Sequence, residues 1–251
     1  MSLPRQNPIK RLLRELPRGT PLDMSDLAKR GMDAKSASFH SHSGWLVRVG
    51  HGVYALPGEE VTSLAATRLL QRHVDGLHVG GKSALALHGV RHNLSTRETL
   101  ALWADQRFVL PKWFATRFPS RARFTPIFGA PDPALNRLTI STPPGVLEKL
   151  RVSTPERAVL EMLYDAGVHE TLDEARSIFE GLRNPRIQVV GRLLSACTSV
   201  KAVRLFLMWS RETGLVDVDD LRTRFTLQVG SASRWVSRMP DGTLLLLKPY
   251  G

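Results

Sequence analysis

Ile9, Leu12, Leu13 and Leu16 recur at spacings of three, one and three among charged residues, the stripe of an amphipathic helix, and Pro17 and Gly19 stop it. From Leu22 the polar positions carry capping signals. Asp23 or Ser25 can cap a short helix that Gly31 ends, and Asp33 can cap a second one running to about Ser43, before Gly44. Two short helices joined by a tight glycine-containing turn form a helix-turn-helix candidate. Directly after it, Trp45 to Val49 and Val53 to Leu56 are β-rich runs on either side of Gly50-His51-Gly52, bounded by Pro57-Gly58. Three helices and a hairpin predict a winged helix over residues 1–59, with Ala34, Ala37 and Ser41 facing inward and Trp45, Val53 and Tyr54 packing the wing onto the helices.

Beyond residue 60 the pattern mixes the two periods. Leu64, Ala65, Leu69 and Leu70 predict a helix to about His73, and a second is expected near 82–88. Short β-like runs fall at 77–80, 99–103, 122–128 and 137–141. In the third of these, Ala122, Phe124, Pro126 and Phe128 alternate with Arg121, Arg123 and Thr125, as in a strand buried on one face, and Pro126 points to an edge. From 153 the chain turns helical. Ser153 and Glu156 have capping-box spacing, and Thr154 as cap with Pro155 at the first helical position fits equally. That helix continues through Tyr164, and further helical segments follow at Leu172 to Leu182, Ile187 to Cys197 and Val200 to Thr213. Phe225 to Val229, Trp235 to Arg238 and Leu244 to Lys248 read as strands, the last two joined by an Asp241-Gly242 turn. The expected class is α+β: a winged helix-turn-helix at 1–59, then a C-terminal region at 60–251 that is mixed α/β to 150 and mainly helical with terminal strands after it.

The composition narrows the partners. Of 251 residues, 42% are hydrophobic and 23% charged, a balance that builds packed cores rather than disordered chain. Lys+Arg number 35 against 23 Asp+Glu, a formal charge of +12, so a polyanion suits the protein better than a cationic partner. The excess is uneven. Residues 1–59 carry nine basic and five acidic groups, 60–150 twelve and six, and 151–251 fourteen and twelve, which turns the front of the chain toward the polyanion. A single cysteine, Cys197, excludes intramolecular disulfides and multi-thiolate zinc modules. With no signal-peptide core at Met1 to Pro8 and no membrane-length apolar run, a cytoplasmic protein with no membrane partner is expected.

Several constellations imitate chemistry. Gly76-Leu-His-Val-Gly-Gly-Lys82-Ser83 satisfies the phosphate-loop pattern, but such a loop needs an apolar strand ending at its first glycine, and Arg68 to Asp75 is charged and helical in pattern. The strand falls instead at Leu77 to Gly80, inside the loop. His88 and His92 have helical metal-sharing spacing, yet Gly89 stands where a zinc-peptidase helix carries its Glu, and Arg91 repels a cation. No nucleophile elbow is present, and Glu156, Arg157 and Glu161 suit capping and bracing of a helix. Neither an enzyme site nor a cofactor or metal is expected.

The second helix of the motif is the place where DNA would be read. Lys35, Ser36, Phe39, His40 and Ser43 fall on or beside its outward face, flanked by Ser38 and His42. Lys35 suits phosphate or guanine acceptors, Ser36 and Ser38 are adaptable donors, and Phe39 suits a thymine methyl. Arg48 and His51 on the wing can approach phosphate or the minor groove, and Lys29 with Arg30 can anchor the backbone. Two other readings compete: a nucleotide-binding protein using Gly76 to Ser83, and a winged module that docks a protein instead of DNA.

Three stretches carry a resemblance. Ser43 to Ala55 (SGWLVRVGHGVYA), His78 to Val90 (HVGGKSALALHGV) and Ser153 to Leu163 (STPERAVLEML) are similar, in the same order, to segments of the AbiEi family, the antitoxin and transcriptional regulator of type IV toxin-antitoxin systems. The resemblance implies an N-terminal winged helix-turn-helix that represses its own operon by binding repeats in double-stranded promoter DNA. It further implies a C-terminal antitoxin domain opposing the cognate toxin AbiEii, a nucleotidyltransferase, without a stable complex. The reading helix here is rich in Ser and His and has no Arg, so the family's operator contacts do not carry over to it.

Overall fold

In the computed structural model, Asp23, Asp33, Thr62, Thr171 and Ser199 each accept a backbone N–H from a following helix, so the polar residues between the apolar stripes fix where the chain turns helical. The structure describes residues 8–16, 19–58, 60–91, 99–129, 132–231, 233–238 and 244–247. In chain order α1 is Pro8–Glu15, β1 Leu22–Asp23, α2 Met24–Ala28, α3 Ala34–His42, β2 Val47–Gly50, β3 Val53–Ala55 and α4 Ser63–Leu70. Then come β4 (His78–Val79), α5 (Gly81–Leu87), β5 (Leu100–Trp103), α6 (Lys112–Arg117), β6 (Ser120–Arg123), α7 (Pro133–Thr139), β7 (Ile140–Ser141) and β8 (Val152–Ser153). The chain ends with α8 (Pro155–Asp165), α9 (Leu172–Glu180), α10 (Ile187–Ala196), α11 (Val200–Thr213), α12 (Val218–Arg224), β9 (Trp235–Arg238) and β10 (Leu244–Leu247). The class is α+β, as the sequence predicts, and it divides into two compact units: residues 1–74 with 109–119, and 75–108 with 120–251.

The first unit is a winged helix. Ile9 and Leu12 of α1, Leu27 of α2, Ala37 of α3, Leu46 and Tyr54 close one core, with Leu22, Met32 and Leu56. Asp23 caps α2 in a box with Asp26, which settles the two caps open in the sequence. The same carboxylates bind the end of the following segment: Arg72 donates to Asp26 at 2.6 Å, and His73 Nε2 lies 2.8 Å from Asp23. The wing is an antiparallel sheet in the order β1-β3-β2, with Leu22 opposite Tyr54, Val47 opposite Ala55, and a register irregularity between Arg48 and Gly50. Two inward assignments change. Ala34 is exposed because it occupies the first helical position beside its cap, and Trp45 is 53% exposed because it follows the Gly44 turn rather than lying in β2. Val53 and Tyr54 are buried as expected.

The second unit is built on a five-stranded sheet in the order β6-β5-β4-β8-β7; β5 with β6 and β4 with β8 are parallel, and the remaining pairs are antiparallel. Its apolar centre is α8, where Ala158, Val159, Leu160, Met162 and Leu163 are all buried, together with Leu205, Phe206 and Leu207 of α11. Phe179 meets Phe206 and Trp209 edge to face. The strand expected at 122–128 ends at Arg123: β6 is an edge strand, Pro126 cannot donate to a ladder, and Phe124 is exposed while Ile127 and Phe128 turn inward. The strand expected at 137–141 is mostly helix, because Asp132 accepts the Ala134 N–H and Pro133 starts α7, leaving only Ile140–Ser141 extended. Phe225 to Val229 is not a strand either. Arg204, 1% exposed, draws the chain after α12 onto α11 by donating to the carbonyls of Val229, Ser231 and Ser233. The helix expected to run to His73 ends at Leu70. β9 and β10 pair antiparallel as expected; the Asp241-Gly242 turn and Lys248 lie outside the described residues, as do Pro17 and His92. Among the described residues no helix is long and apolar enough to cross a membrane.

Candidate nucleic-acid interface

Asp33 anchors α3 by accepting the Ser36 N–H at 2.7 Å, and the helix closes at Ser43, whose hydroxyl donates to the carbonyls of Phe39 and His40. Ala37 is its one buried residue and Ser41 is half-buried, so the opposite side is free to face solvent. Lys35, Phe39 and His42 lie at i, i+4 and i+7 on that side, and all are exposed, Phe39 to 66%. The His42 ring donates from Nδ1 to the Ser38 carbonyl at 2.7 Å, which leaves its other nitrogen facing outward. Ser36 and Ser38 are half-buried along the edges of this face, as is His40, whose ring meets Phe39 edge to face.

On the wing, Arg48 and His51 are exposed; the Arg48 Nε reaches only the Gly50 carbonyl, at 3.5 Å. Lys29 is exposed just past α2. Arg30 is held differently from the others. It donates to the Asp26 carbonyl at 2.9 Å and lies 3.5 Å from the Glu15 carboxylate, so it braces α2 against α1. Among the described residues Lys29, Lys35 and Arg48 take part in no ion pair, whereas Arg11, Arg30 and Arg72 of the same unit do. Two further cations, Lys112 and Arg117 on α6, join His51 and Val49 around one groove, together with Pro111, Trp113 and Thr116. No local sequence signal connects these residues with the wing, because the chain leaves the unit between α4 and α6.

The phosphate-loop imitation in the second unit has a structural occupant. The helix that would point at a phosphate is α5, and its Gly81 N–H donates to the carboxylate of Glu161 at 2.9 Å. Glu161 is fully buried and also accepts from Ser153 Oγ at 2.8 Å and Arg157 Nε at 2.8 Å, with His78 Nε2 at 3.0 Å. A Cβ at Gly80 would lie 2.3 Å from the Glu161 carboxylate, so the glycines make room for a protein anion. The expected strand, β4, runs through the middle of the loop pattern. Lys82 turns to Glu170 and Glu174 instead of a phosphate. His88, one of the two histidines at metal-sharing spacing, lies with Nε2 2.9 Å from the Ser153 carbonyl.

Burial would raise the Glu161 carboxyl, but His78 and Arg157 beside it override that and hold it down from 4.5 to about 2. Glu156 reaches about 2 in the same way: burial opposes ionisation, and hydrogen bonds from the Arg186 side chain and backbone outweigh it. Both folded values lie below the unfolded one, so their contribution is complete above pH 4.5 and disappears as the pH falls toward 2. A series of thermal melts should therefore show a steep loss of stability between pH 4.5 and 2. A transition temperature flat across that window would contradict the buried carboxylate arrangement.

The comparisons with known proteins agree with this architecture. The family model described as the AbiEi antitoxin N-terminal domain, transcriptional regulator, matches residues 5–96. The model described as transcriptional regulator, AbiEi antitoxin, type IV TA system, matches residues 97–245. No curated protein matches the chain in sequence. The crystal structure of the RV2827C protein from Mycobacterium tuberculosis is similar in fold, with a TM-score of 0.60 at 17% identity over 91% of this chain and 87% of that one. Both parts of the family pattern thus follow one another along nearly the whole sequence, and the chain belongs to the AbiEi family of type IV antitoxins and transcriptional regulators.

Proposed function

We propose that the protein is a cytoplasmic autorepressor and antitoxin that binds repeats in its own promoter. The principal DNA-binding role falls to residues 1–59. Residues 60–251 carry the antitoxin role against a nucleotidyltransferase toxin, without a stable complex between the two proteins. The observation that carries the DNA reading is the outward face of α3, where Lys35, Phe39 and His42 are exposed beside a wing bearing Arg48 and His51. A cation without an ion-pair partner can neutralise a phosphate without first giving up a protein carboxylate, and exposed polar and aromatic side chains can reach base edges and thymine methyls. Lys29 extends the same function to the backbone, and Ser36 and Ser38 supply short donors at the margins. Arg30, held by Glu15 and Asp26, supports the helices and has less freedom to reach phosphate.

Anisotropy of a labelled duplex from the region upstream of the gene, against a scrambled duplex over a range of salt, tests this reading. The promoter duplex should bind at least roughly tenfold tighter, with a steep fall of affinity as salt rises. Equal affinity for both duplexes, or none, would remove the specific-repressor reading. It would favour instead a winged module that docks a protein through exposed Phe39, Trp45 and Val47.

A further inference from the structure

We propose that α6 is part of the DNA-contacting surface, with Lys112 and Arg117 as a second pair of phosphate contacts beside the wing; the proposal rests on the DNA-binding reading above. Residues 109–119 belong to the same compact unit as the winged helix. The attachment is close: a Cβ at Gly50 would come within 2.4 Å of both Cβ and Cγ of Trp113, so the indole-bearing residue lies directly on the backbone of β2. Phe114 is fully buried and meets Trp113 and Phe118 edge to face, so the segment has an inward aromatic cluster of its own.

The groove between them has a volume of about 670 Å³, with His51 on the wing side and Lys112, Thr116 and Arg117 on the α6 side. No carboxylate lines it. Lys112 and Arg117 are exposed, and among the described residues neither side chain has an ion pair or a hydrogen bond. The unit pairs other cations, such as Arg11 with Glu15 and Arg72 with Asp23 and Asp26, whereas among the described residues the α6 pair takes part in no ion pair, as is also true of Lys29, Lys35 and Arg48. Two unneutralised charges on one groove with His51 suit a run of backbone phosphates. Such contacts add affinity and register on the duplex but no base preference.

The test is duplex binding by the full chain carrying Lys112→Ala and Arg117→Ala, on the upstream and scrambled duplexes, over the same salt range. The log–log salt slope should become shallower by roughly 2, close to 0.9 for each phosphate contact, and affinity for both duplexes should fall by a similar factor of roughly tenfold or more. Lys112→Arg with Arg117→Lys should keep the slope. Unchanged slope and affinity in the alanine variant, with the wild type binding DNA and Lys35→Ala/Arg48→Ala weakening it, would overturn the α6 proposal and leave the winged-helix reading standing. Failure of the wild type to bind either duplex would overturn both. Both substituted residues are exposed, and a circular-dichroism melt matching the wild type confirms that the binding change is not unfolding.

Discussion

Replacing Glu161 with Ala should destabilise the protein by about 3–5 kcal/mol, the usual penalty for removing one partner of a buried ion pair. At this chain length each kcal/mol moves the melting temperature by roughly 2–4 °C, so the expected fall is on the order of 10 °C. The size follows from what the carboxylate holds. Arg157, 5% exposed, would keep a buried charge with the side chains of Asn136 and Thr139 and the face of Phe128 beside it, none of them an anion. Ser153 Oγ, the Gly81 N–H and His78 would lose an acceptor in the same step. An unsatisfied buried donor costs about 1–3 kcal/mol more than one left in water. Glu161→Gln keeps the shape but removes the charge and turns an amide N–H₂ toward one of the donors, so it should fall between wild type and Ala. Thermal unfolding by circular dichroism reads the effect, and hydrogen exchange at residues 78–83 locates it. A shift of under 3 °C for Glu161→Ala would mean that the network is not what holds β4, α5 and α8 together.

This cluster also explains what the sequence could and could not disclose. The stretch Ser153-Thr154-Pro155-Glu156-Arg157 is recognisable as a helix start, and it is one: Thr154 stands at the cap and Pro155 at the first helical position, the second of the two options left open. Ser153 belongs to β8 and donates to Glu161 rather than capping. Bracing was a fair reading for Glu156 and Arg157. Arg157 and Glu161 stand four apart on one helix and pair as that spacing allows; the other partners, Arg186 for Glu156 and Asn136 for Arg157, come only with the structure, because a hydrogen bond between residues tens of positions apart leaves no local period. The same holds for Gly80 and Gly81, which fit a phosphate-loop pattern until the Glu161 carboxylate is placed against them.

Helices with a polar cap and a strong apolar stripe are legible to within a few residues at their ends. The α11 bounds, Val200–Thr213, coincide with the expectation, with Ser199 capping and Gly214 in the left-handed region. The short elements are not: α6 and α12 have seven residues or fewer, too few for a period to show, and the strand expected at 137–141 overlaps the end of α7, whose start lies at Asp132-Pro133. At the candidate interface spacing alone puts Lys35 and Phe39 on the solvent face of α3, where they lie, but it also turns Ala34 inward, which the structure leaves exposed. The α6 side of the groove was invisible, since nothing in residues 109–119 announces that they return to the wing.

Charge reversal on that legible face has the largest expected effect on function. Lys35→Glu with Arg48→Glu should weaken binding to the upstream duplex by roughly 100-fold or more at about 0.15 M salt, since each substitution removes a phosphate or base contact and adds repulsion. Neither residue is buried or ion-paired among the described residues, so the fold should be retained, which a thermal melt verifies. The two sites differ in kind. Lys35 lies on α3, where a contact to guanine acceptors would make its loss heavier on the upstream duplex than on a scrambled one. Arg48, on the wing, should weaken both equally if it meets phosphate. Measuring the single Ala variants on both duplexes separates these roles. A reversal variant that still binds the upstream duplex like the wild type would move the DNA-reading surface away from α3 and the wing altogether.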